Sequence, residues 1–169
     1  MKTSTKKNIT KNVDGAKRPI DVYFEEYTIK LPAVGARIII ALLLILFYFG
    51  LMGVCWVIPF PSFKWLGNYI GYINWASFFI AGIIYFWLKK SPVLSYFLLI
   101  LTFIISYQVS RMQIYLAANA WIIYVSIAVV SGLILLSIFQ KKHLALFKSL
   151  FMLPLWLISF PAKAIGVKI

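Results

Sequence analysis

Four long runs of apolar residues, none containing a charged side chain, constrain this chain more than any other feature. They cover residues 38–58, about 71–88, 92 to about 110, and about 116–139. The first holds 21 residues. At about 1.5 Å per residue it reaches about 31 Å, enough for a hydrocarbon core of roughly 30 Å. Backbone amides in lipid must be bonded within the structure itself, so runs of this length read as helices and not as open strands. Composition agrees: 63% of the 169 residues are hydrophobic and 12% are charged, about half the charged share of a soluble domain.

The expected fold class is therefore all-α. It is a polytopic helical membrane protein with four transmembrane helices plus a C-terminal interfacial or re-entrant helix. Four segments follow. Residues 1–20 are a basic flexible tail, polar and aperiodic. Residues 21–37 form a short amphipathic juxtamembrane segment, with Asp21 as a helix N-cap and Pro32 and Gly35 ending it. Residues 38–143 are the four-helix domain, and 144–169 hold the last helix and tail. The apolar stretch 144–160 is interrupted by Lys148 and Pro154. A Lys near mid-bilayer costs about 2.5–3.5 kcal/mol on insertion scales, and 150–160 alone is too short to cross. Trp156 is expected at headgroup level.

Basic residues set the orientation. Alternating the four spans places 15 Lys and Arg on one side and two, Lys64 and Arg111, on the other. The positive-inside rule then puts both termini in the cytoplasm. The compact loops favour a bacterial inner membrane. Asn8-Ile9-Thr10 matches a glycosylation pattern but falls on the cytoplasmic side in this topology.

Catalytic residue types are scarce. All four acids, Asp14, Asp21, Glu25 and Glu26, precede residue 27, and His143 and Cys55 are the only residues of their kinds. General acid/base and metal chemistry draw on these side chains, so neither a catalytic residue nor a cofactor is expected. Candidate sites are of other kinds. Arg111, Lys141, Lys142, His143, Lys148 and Trp156 are candidates for contact with lipid headgroups or the interface. Arg111 with Gln108 and Asn119 could form an outer polar pocket, or Arg111 could snorkel while Asn119 caps the fourth span. Cys55 reads as a buried apolar thiol. Ser77/Ala81 and Ala128/Gly132 are small-residue pairs that permit close helix packing, and Gly67/Gly71 is more a turn feature. The polar residues Asn74, Thr102, Ser106, Ser126 and Ser131 read as back-bonded or helix-bridging, not as a conduit. The Lys-rich tail suits a membrane surface or an acidic protein partner, with no nucleic acid implied.

A sequence resemblance adds to this reading. Asp21-Val-Tyr-Phe-Glu-Glu-Tyr27, Trp56-Val-Ile-Pro-Phe-Pro61, Asn74-Trp75-Ala76, Tyr85-Phe-Trp-Leu-Lys-Lys-Ser-Pro92, Phe147-Lys148-Ser149-Leu150 and Pro154-Leu155-Trp156-Leu157 occur in this order. Together they resemble the membrane-embedded iron(II)-dependent 2-hydroxy-fatty-acid dioxygenase family, over about residues 21–166. The resemblance implies histidine ligands near Leu31 and Ile40 and a Gly-His-Lys-x-Glu element near Leu136-Ser137-Ile138-Phe139-Gln140. This chain carries none of those imidazoles, and His143 is offset from the pattern. The implied protein is a scaffold without the oxygenase chemistry. Its expected role is an accessory subunit packed against a larger membrane complex. The alternatives are a lipid or acyl-chain binding protein, or a residual oxygenase with partner-supplied ligands.

Overall fold

The computed structural model describes residues 19–61, 73–116 and 119–167. These form six helices with no strand among the described residues: α1 (Pro19–Lys30), α2 (Val34–Val57), α3 (Trp75–Lys90), α4 (Pro92–Leu116), α5 (Ala120–Lys141) and α6 (Leu146–Ala164). The protein is an all-helical integral membrane protein, and four helices, α2, α4, α5 and α6, are long and apolar enough to cross a bilayer.

Helix length and packing distinguish the members of this set. Helix α3 has 16 described residues, about 24 Å. It nevertheless runs alongside α2: Trp75 Nε1 donates to Pro59 O at one end, and the Trp87 ring meets Tyr48, midway along α2, near the other. Helix α6 has 19 residues but stays in one half of the bundle. Its partners include Arg37 and Tyr48 in the first 15 residues of α2 and Phe86 and Trp87 at the end of α3, and it also packs against α4 and α5. Helix α1 lies against it: Tyr27 and Thr28 meet Trp156, and Lys148 Nζ sits 3.9 Å from the Tyr23 ring centroid. Thus α2–α5 form the bundle, and α6 is held between α1 and the end of that bundle carrying Arg37, Lys89, Lys90, Lys141 and Lys142.

The tightest helix pair is α2 with α5. Gly53 faces Tyr124, Gly50 faces Ala128 and Gly132 faces Phe47, so the two helices run antiparallel. A Cβ on Gly50 would lie 2.6 Å from the Ala128 backbone nitrogen; the missing side chain is what allows the backbones to approach. The core has two storeys. The larger lies in the α6 half and includes Leu44, Tyr48, Trp87, Leu98, Phe139 and Trp156. The smaller lies in the opposite half around Met52, Ile105, Val109 and Tyr124, with Tyr124 Oη donating to Val109 O at 3.0 Å.

Several element boundaries differ from the sequence expectation. Asp21 lies in the first turn of α1 and not at its cap, because the helix already includes Pro19. Arg111 is inside α4, which continues to Leu116; an exposed Arg leaning on Tyr115 four residues on does not interrupt a helix. Asn74 does cap α3, accepting from Ser77 N at 2.9 Å, so the described helix begins at Trp75 and not near 71. Asn119 occupies the cap position of α5 but makes no side-chain cap bond. The stretch around Pro154 is one continuous helix and not a broken one. Expectations for the tail, Asn8, Lys64 and Gly67/Gly71 lie outside the described residues.

Candidate functional site: an apolar cavity closed by a proline-bearing helix

Pro154 explains how α6 is seated. A proline has no N–H to donate to the carbonyl four residues earlier, here Leu150 O. Tyr48 Oη donates to that oxygen at 2.8 Å, and Trp87 Nε1 donates to the neighbouring Phe151 O at 2.9 Å. Two side chains from α2 and α3 therefore bond carbonyls in the turn before the proline, within a medium that offers no water. Nothing in the apolar runs marks Tyr48 or Trp87 for this role. The usable sequence signal was Pro154 itself, which requires a donor from elsewhere.

These two aromatic residues also line a cavity of about 240 Å³ between α2, α3, α4 and α6. Its lining extends along α2 from Ala41 to Met52, a rise of about 16 Å, so the space is elongated. Ile83, Leu98, Leu101, Ile105, Leu157 and Ile158 supply most of the remaining wall. Leu98 and Met52 are buried, whereas Ile45 and Pro161 are exposed and mark the mouth, in the α6 half. The wall's hydroxyls are already engaged: Thr102 Oγ1 donates to Leu98 O at 2.7 Å, and Tyr48 is bonded as above. The cavity therefore offers dispersion and shape complementarity to an apolar ligand, with no acid, base or nucleophile.

The sequence-derived candidates are distributed unevenly around this site. Lys141 ends α5, Lys142 is its cap and His143 follows with φ of 51°. His143 N donates to Gln140 O and Leu144 N donates to Phe139 O at 2.8 Å, the paired bonds of a Schellman stop. Buried Leu144 and Phe139 complete it in the core. His143 is thus the left-handed residue that ends α5, and its carbonyl accepts from Lys30 Nζ at 2.9 Å. Lys30 also pairs with Glu26 at 2.8 Å. Lys148 joins this end through Tyr23. Arg111 does not: it lies in the opposite half against Tyr115, with Nη2 3.4 Å from the Tyr115 hydroxyl. Ala128 and Gly132 lie in the α2–α5 contact, whereas Ala81 is exposed and Ser77 bonds Asn74 in the first turn of α3.

Trp156 requires a correction. It is 1% exposed, with no surface left for a headgroup. Its Nε1 donates to Thr28 Oγ1 at 3.2 Å, and its ring packs on Tyr27 and Phe160. Covering by α1 took it out of the interface. Nearby, burial of the Tyr27 hydroxyl raises its pKa above the ordinary 10.0, although Ser149 opposes the shift as a hydrogen-bond partner.

The residues present do not fit the iron implied by the resemblance. Leu31 and Ile40, near the places where two ligands would fall, are each 1% exposed and share one apolar cluster, and the histidine and glutamate places of the later element hold exposed Ser137 and Gln140. Among the described residues no group of three or more His, Cys, Asp or Glu side chains comes together. Comparison with protein-family models, with curated proteins and with solved structures finds no match.

Proposed function

We propose that this chain is a non-catalytic integral membrane protein that binds a lipid acyl chain between its helices. The observation that carries this reading is the elongated cavity, whose polar wall atoms are all occupied by intramolecular bonds. A thin aliphatic ligand loses nothing in hydrogen bonding there and gains contact with Leu98, Leu101, Ile105 and Ile158. The host is a bacterial inner membrane and both termini are cytoplasmic, in accord with the basic end of the bundle. The dioxygenase likeness supports a shared scaffold, and the lack of any imidazole or carboxylate at Leu31, Ile40, Ser137 and Gln140 supports the loss of its chemistry.

Native mass spectrometry of the gently solubilised protein tests this. A bound lipid is expected at near-stoichiometric occupancy, and Leu101→Trp, which fills the cavity, is expected to displace it while helical circular dichroism is retained. Wild-type protein free of lipid but carrying a stoichiometric second chain would favour the accessory-subunit role instead. Stoichiometric iron would overturn the non-catalytic reading.

A further inference from the structure

We propose that Arg37 receives the phosphate of a phospholipid whose acyl chain lies in the cavity; the inference rests on the acyl-chain reading above. Arg37 is half-buried in the first turn of α2. Its Nε donates to Leu31 O at 2.9 Å and its Nη2 to Pro32 O at 3.0 Å. Its guanidinium carbon lies 4.6 Å from the Phe160 ring centroid and 5.4 Å from that of Trp156. The plane of the fork is therefore set before any ligand arrives.

Among the described residues Arg37 pairs with no carboxylate. Two carbonyls use two of its five N–H donors and leave three. Arg does not neutralise itself by losing a proton, so this partly buried cation calls for an anion. The planar fork matches two oxygens of a phosphate better than an ammonium does. Phosphate is also the anion that membrane lipids carry at the bilayer edge.

Position links this cation to the cavity. Ala41, one turn along α2 from Arg37, lines the cavity, and the rise between them is about 6 Å. Phe160, under the guanidinium, directly precedes Pro161, which lines the cavity. A phosphate held by Arg37 therefore lies about one helical turn from the end of the cavity at Ala41. The far end of the cavity, around Met52 and Ile105, has no charged residue within a turn on either helix.

The test is native mass spectrometry of the full-length protein in neutral detergent, titrated separately with dioleoyl phosphatidic acid, dioleoylglycerol and inorganic phosphate. Phosphatidic acid is expected to bind about tenfold more tightly than dioleoylglycerol. Arg37→Lys, which keeps the charge but loses the fork, should narrow that ratio to about threefold. Phe160→Leu, which removes the ring under the guanidinium and leaves the charge, should narrow the ratio as well, so the site is read even if Arg37→Lys impairs folding. Equal binding of the two lipids overturns the phosphate site and leaves the cavity reading standing. Failure of both lipids to bind overturns both. Inorganic phosphate displacing bound phosphatidic acid at equal concentration overturns the assignment of the phosphate to a lipid.

Discussion

Removing the single oxygen of Tyr48, by Tyr48→Phe, should weaken the seat of α6 by about 1–2 kcal/mol. Tyr48 is 7% exposed and its hydroxyl bonds Leu150 O at 2.8 Å. Leaving a buried acceptor unpaired costs about 1–3 kcal/mol. Interhelical hydrogen bonds in membranes average only about 0.6 kcal/mol, because the unfolded reference state finds substitute partners. Here the substitute is missing within the helix, since residue 154 is a proline in either state, so the value should exceed that average. The assay is unfolding in mixed micelles as the SDS fraction rises. A double-mutant cycle sharpens it. Pro154→Ala restores the amide N–H, and in that background Tyr48→Phe should cost about 1 kcal/mol less. A cost near zero in the wild-type background, or an equal cost in both, would refute the view that Tyr48 compensates for the proline.

Three further outcomes follow from other parts of the packing. Gly50→Ala and Gly53→Ala should each destabilise by about 1–3 kcal/mol, because the new methyl meets the Ala128 backbone or the Tyr124 ring, whereas Gly82→Ala meets nothing within 4 Å; the same SDS titration compares them. His143→Gly should stabilise by about 1 kcal/mol, since φ of 51° suits glycine better, while His143→Val should destabilise, read as the shift in SDS midpoint. Tyr27 ionises at a higher pH when folded than when unfolded, near 10.0. The unfolded chain releases this proton first, so the contribution to stability is complete below about pH 10 and is lost as pH rises through the folded value. Alkaline titration of thermal stability should show a shallower fall in Tyr27→Phe.

The sequence carried the lipid-facing properties well and the contact-dependent ones poorly. The apolar runs at 38–58 and 116–139 foretold α2 and α5 because hydropathy is a sum over one segment. The small pair Ala128/Gly132 was visible, but Gly50 and Gly53, which complete that contact, were not singled out. A helix that is apolar on every side has no polar face to show which side meets a neighbour, since lipid and protein core are both apolar. The Schellman stop was hidden for another reason. Its usual marker is glycine, and His143 stands in that place.

Trp156 and Arg37 show the same division at single residues. Tryptophan near a span end reads as an interfacial anchor, and only the placement of α1 over α6 buried it. Arg37 counted as one basic residue among fifteen until the fold brought two carbonyls and the Phe160 and Trp156 rings around it. What the chain by itself determined was membrane residence, helical class and the clustering of basic residues, because burial in lipid and backbone satisfaction act within each segment. The tertiary structure alone decided the depth of α6, the partners of Pro154 and the existence of a cavity, because these depend on which faces of separate helices meet.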